Sequence, residues 1–69
     1  MTHTEYRAII KALDLSQVGA ARLFGVAPRT SRRWALGEQP IPRAVAMCLR
    51  MMVSHGVSAA EAQSMADGE

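Results

Sequence analysis

Apolar residues in this chain recur at helical spacing and do not alternate with polar ones over any useful length. Tyr6, Ile9, Ile10 and Leu13 stand at i, i+3, i+4 and i+7, the apolar stripe of a helix expected from about Thr4 to Leu13. Thr2 and Glu5 have capping-box spacing, which draws the start toward Thr2. Ser16 is a good N-cap for a second helix, Gln17 to Phe24, stopped at Gly25. Pro28 suits the first turn of a third helix, which runs to about Leu36 and ends at Gly37. The stretch Glu38-Gln39-Pro40-Ile41-Pro42 is a connector, because two prolines forbid a continuous helix. Pro42 opens a fourth helix, residues 42–55, closed by Gly56. Ser58 and Glu61 form another capping box, so a short fifth helix is expected at about 59–66. The pattern predicts one all-α domain of four to five helices over residues 1–69.

At 69 residues the chain is close to the lower limit for a self-sufficient core. The single cysteine, Cys48, allows no intrachain disulfide and argues against a secreted scaffold. The polar start, Met1-Thr2-His3-Thr4-Glu5, is not that of a signal peptide, and no apolar run suits a bilayer. A cytoplasmic protein that uses no membrane is the expectation. The net charge is only +2, but it is unevenly placed. Residues 1–50 hold all eight Lys/Arg against Glu5, Asp14 and Glu38, a balance of +5. Residues 51–69 hold Glu61, Asp67 and Glu69 and no basic residue, a balance of −3. A basic body with an acidic tail suits a polyanion on one side only.

The informative segment is Leu15 to Gly37, two short helices joined through Phe24-Gly25-Val26-Ala27. So short a joint predicts a steep crossing, with Gly25 taking the turn. Ala20 and Ala21 are small where the helices must approach, Val26 should plug the corner, and Trp34 falls on the inner face of the third helix. On its outer face Arg29, Arg32 and Arg33 stand at i, i+3 and i+4, with no acid before Glu38. Three guanidinium groups so placed repel one another unless a polyanion neutralises them. Arginine can also fork onto the O6 and N7 of guanine in the major groove. A solvated basic face without a partner is the plainer alternative.

The segment LSQVGAARLFGVAPRTSRRWALGEQPIP resembles the helix-turn-helix of the Cro/phage-repressor-like family. Ser16, Gln17, Ala21, Gly25, Val26, Thr30, Arg33, Trp34 and Gly37 carry the likeness, and Pro40-Ile41-Pro42 with the helix after it extends it to roughly residues 15–53. The resemblance implies a helix-turn-helix at about 16–37, with the third helix as the recognition helix, its N-terminal part in the major groove of double-stranded DNA. Pro28, Arg29, Arg32 and Arg33 are then the candidate base contacts, Arg33 reading an edge or a phosphate. Gln17, Arg22, Thr30 and Arg43 are the candidate phosphate contacts, Gln17 aided by a helix N-terminus. Two positions depart from the family's habit. Ser31 stands where a branched apolar residue is usual; it could bond the carbonyl of Ala27, and it should weaken the core beneath the recognition helix. Ala27 stands where Ser or Thr often caps that helix.

Other residues read more plainly. Trp34 is expected in the core and Tyr6 at its edge. His3 and His55 lack partners at metal-ligand spacing, so no zinc site and no cofactor are expected. No paired carboxylates, nucleophile triad or phosphate loop appears, so no enzyme is expected. On the fourth helix Val45, Cys48, Leu49 and Met52 make one apolar face, with Cys48 read as a buried small thiol. Ala44, Met47 and Met51 make a second face about 100° away, to be covered by the fifth helix through Ala62 and Met65, by another subunit, or by both. A homodimer on an inverted-repeat operator, acting as a transcriptional repressor, is the leading expectation. The rival is a helical protein-interaction module, such as a phage or toxin–antitoxin accessory protein, that uses this second face.

Overall fold

The computed structural model describes residues 1–68; Glu69, the last acid of the acidic tail, lies outside them. It is all-helical: α1 (His3–Ala12), α2 (Gln17–Phe24), α3 (Pro28–Leu36), α4 (Arg43–His55) and α5 (Ala59–Asp67). Helix starts follow their caps. Thr2 and Glu5 form the expected capping box. Ser16 Oγ accepts from the Gly19 amide at 2.9 Å, and Ser58 Oγ accepts from the Glu61 amide at 3.1 Å. Pro42 proves to be the N-cap of α4 and not its first residue, since its extended ψ of 141° keeps it outside the helix. The fifth helix runs through Asp67, as long as α3.

Helix ends follow glycine. Gly25, Gly37 and Gly56 all have positive φ. At Gly25 the amide of Val26 returns to the carbonyl of Ala21 at 2.9 Å, closing the helix in the Schellman manner. Asp14 takes the same left-handed conformation after α1 without being glycine, with φ 58°. Aspartate tolerates this region better than most residues do.

The core is one cluster: Tyr6, Ile10, Ala20, Trp34, Ala35, Val45, Leu49 and Met52. It draws on the first four helices, and α5 adds only Ala62, half-buried against it. Among the helix pairs, α2 packs on α3, α1 on α3 and on α4, and α2 on α5. Tyr6 is fully buried, not at the edge as its amphipathic ring suggests, because it meets Trp34 edge-to-face with ring centroids 5.8 Å apart. Trp34 Nε1 is buried without a protein partner among the described residues. Among the described residues, no helix is long and apolar enough to cross a membrane.

Candidate nucleic-acid interface

Helix α3 divides cleanly into two faces. Ser31, Trp34 and Ala35 are buried. Arg29, Arg32, Arg33 and Leu36 are exposed and share an arc of about 100° around the axis at the period of an α-helix. The described residues contain one ion pair, Arg50 with Glu5 at 3.5 Å, so no carboxylate pairs with the α3 arginines among them. The face is therefore positive and uncompensated, with Leu36 at its C-terminal end.

Three contacts tie the back of α3 to α1. The hydroxyls of Tyr6 and Ser31 share a buried hydrogen bond of 2.7 Å. Arg7 Nη1 donates to the carbonyl of Ala35 at 3.0 Å, placing a cation at the negative end of the α3 dipole. The His3 ring lies over Gly37, where an added Cβ would stand 2.9 Å from Nδ1. Gly37 is required by its φ of 76°, and a Cβ there would also displace the exposed His3 ring. The Ser31 expectation is corrected here. Its hydroxyl does not turn back to Ala27 but pairs with that of Tyr6, so the small polar residue finds its partner inside the core. Sequence reasoning also gave no role to Arg7 or His3. Neither has a local signal, because both act on a helix more than 20 positions away, Arg7 on a residue 28 positions on.

The other candidate residues take simple positions. Pro28 is the exposed first residue of α3, and Thr30 is half-buried within its first turn. Ala27 caps α3 with backbone alone, as expected, and makes no side-chain hydrogen bond. Gln17 opens α2 half-buried, on the side that carries Ala20, Ala21 and Phe24. By helix geometry the amides of Gln17 and Val18 have no acceptor within α2, so a phosphate can be received there. Arg22 is exposed on α2, and Arg43 is the exposed first residue of α4.

A different surface lies behind the helix-turn-helix. Leu23 and Phe24 of α2, Met47, Cys48 and Met51 of α4 and Met65 of α5 line an open groove of about 620 Å³. The fifth helix covers this face only in part. Met47 and Met51 remain 54% and 56% exposed, and Cys48 is half-buried at the groove, not sealed in the core. Ala44, at the same face, is exposed. Ala62 turns toward the core while Met65 stays in the open, so α5 forms a wall of the groove and not its lid.

Comparison with protein-family models, with curated proteins and with solved structures gives no match to this chain.

Proposed function

We propose that this chain is a sequence-specific DNA-binding regulator of the Cro/phage-repressor-like helix-turn-helix kind, with α3 as its recognition helix. The observation that carries the reading is the exposed stripe of Arg29, Arg32 and Arg33, unpaired with any carboxylate among the described residues. Such a stripe is electrostatically unfavourable alone and favourable against phosphate. Its forked donors match guanine edges. Pro28 and the arginines enter the major groove, while Gln17, Arg22, Thr30 and Arg43 position the protein on phosphates. The protein acts in the cytoplasm as a repressor, occupying an operator without catalysis, metal or cofactor.

The open α4 face supports a second element of the same reading, a homodimer joined through Ala44, Met47 and Met51. A two-fold dimer presents two copies of α3 to successive major grooves, so the operator is an inverted repeat. A rival reading also draws on this groove. Flexible methionines suit surfaces that receive partner helices, as in a protein-interaction module without DNA.

One experiment separates the two. The protein is incubated with a random pool of duplex DNA, and the bound fraction is recovered and sequenced. The expected result is a preferred site whose affinity exceeds that of unrelated DNA by 10³ or more, an order-of-magnitude margin, and falls steeply with salt. No enrichment at low salt favours the interaction module.

A further inference from the structure

Among the described residues six large apolar side chains are exposed: Val18, Leu36, Met47, Met51, Val53 and Met65. Met47, Met51 and Met65 line the groove beside α5, and Val53 lines a smaller hollow between the ends of α1 and α4. Val18 opens α2 beside Gln17. Leu36 belongs to none of these. It is 53% exposed and stands seven residues after Arg29, which returns it to within about 20° of that residue around α3. Arg32 and Arg33 flank it on either side. An isolated exposed leucine is ordinary; this one closes the C-terminal end of a positive stripe, beside groups that favour water.

Resting on the DNA-binding reading above, we infer that Leu36 is a specificity residue that packs on the C5-methyl of a thymine in the major groove. Among base edges the thymine methyl is the one apolar feature there, and an aliphatic side chain recognises it. The arginines select guanine by forked hydrogen bonds, so the stripe reads two kinds of edge with two kinds of side chain. The geometry places the thymine. Leu36 lies about 10 Å along the helix axis from Arg29. For a helix lying along the groove that is roughly three base-pair steps at ~3.4 Å each. Tyr6 holds the middle of α3 through Ser31, and Arg7 and His3 meet its end at Ala35 and Gly37, so Leu36 is presented on a supported segment and not on a fraying end. Gly37 follows at once and turns the chain away, leaving the leucine as the last side chain of the reading face.

The test uses the full chain and the site it selects from random duplex DNA. Each thymine in that site is replaced in turn by uracil, which removes the methyl and leaves the pairing edge intact. Affinities are measured for the parent and for Leu36→Ala. Alanine is at least as good a helix former as leucine, and the position is exposed, so circular dichroism is expected to be unchanged. The expected result is one thymine per half-site, about three steps from the guanine lost in Arg29→Ala. Uracil there weakens the parent about fourfold, the worth of one buried methyl, and leaves Leu36→Ala unaffected. Leu36→Ala on the unmodified site should bind about as weakly as the parent on the uracil site. Equal loss in both proteins, or a parent indifferent to every uracil, overturns the inference and leaves DNA binding standing. A parent that selects no site at all overturns the DNA reading and the inference with it.

Discussion

The hydroxyls of Tyr6 and Ser31 lie 2.7 Å apart with no access to solvent and share one hydrogen bond. Neither side chain makes a second hydrogen bond among the described residues, so the pair stands or falls together. Tyr6→Phe leaves the serine hydroxyl buried and unpaired, which costs about 1–3 kcal/mol. Ser31→Ala leaves the phenol in the same state at a similar cost. The double variant leaves neither group orphaned, so it should be destabilised by less than the sum of the two singles. Urea denaturation of the four proteins measures the coupling, and strict additivity contradicts the pairing.

The same contact sets an alkaline limit. Burial pushes the Tyr6 hydroxyl above the ordinary tyrosine range, and the hydrogen bond from Ser31 offsets this only in part. The folded state therefore holds the proton more tightly than the unfolded chain. That stability is fully present below the unfolded tyrosine value of about 10 and is lost as pH rises past it. Tyr6 is the single tyrosine, so Tyr6→Phe should flatten the decline above about pH 10. A parent and variant that lose stability in parallel over that range speak against a buried phenol.

The arginine stripe makes a prediction about kinds of contact. Arg29→Ala or Arg32→Ala should cost about 1–3 kcal/mol on the preferred site and relax the choice of base at one position. Gln17→Ala, Arg22→Ala and Arg43→Ala should instead weaken binding to all sequences by a common factor, with the arginine variants also lowering the salt slope by about one. Selection from random duplexes with each variant distinguishes the classes. A changed base preference in Gln17→Ala would make that residue a base reader.

Much of this was legible in the sequence because it is local. Gly25, Gly37 and Gly56 end helices where their spacing says they must, since a left-handed cap is decided by a few neighbours. The arginine stripe needs only the helical period. What was not legible is tertiary. Ser31 looked like a weak place in the core because its partner is 25 residues away. Arg7 and His3 carry no sequence signal for the same reason. The second face of α4 was visible as an apolar stripe, but how far α5 reaches over it depends on the path after Gly56, which no periodicity encodes.

Ala27 offers a stability prediction that touches no core atom. It caps α3 with φ −66° and ψ 147°, the extended conformation that a capping serine adopts, yet has no side-chain oxygen to give. Ala27→Ser should add one acceptor for a first-turn amide and stabilise the fold by about 1 kcal/mol. For a domain of this size that is a rise in melting temperature of roughly 4–8 °C. Thermal unfolding followed by the fluorescence of the single Trp34 measures it. An unchanged or lower transition means that the first turn of α3 is not free to accept the cap.

The open groove makes the last prediction, about assembly. Met47 and Met51 are each roughly half exposed, so burying the remainder in a subunit interface is worth about 1 kcal/mol per residue. Two copies contribute four such methionines across a two-fold axis, and Ala44 and Met65 add apolar surface at the margins. That is a useful gain for a chain whose core draws on eight residues, three of them no larger than valine or alanine in the helix-turn-helix and α4. The parent should therefore sediment as a dimer at micromolar concentration. A Met47→Glu/Met51→Glu variant places like charges on the axis and should sediment as a monomer, with its helical content retained because both positions face out. On DNA the dimer should select an inverted repeat with half-sites centred about 10 base pairs, or a multiple of that, apart. The variant should then lose about half of the phosphate contacts and so about half of the salt slope. A parent that is monomeric both free and on a selected site without an inverted repeat ends the dimer. It leaves the arginine stripe, which needs no second subunit to meet a groove, untouched.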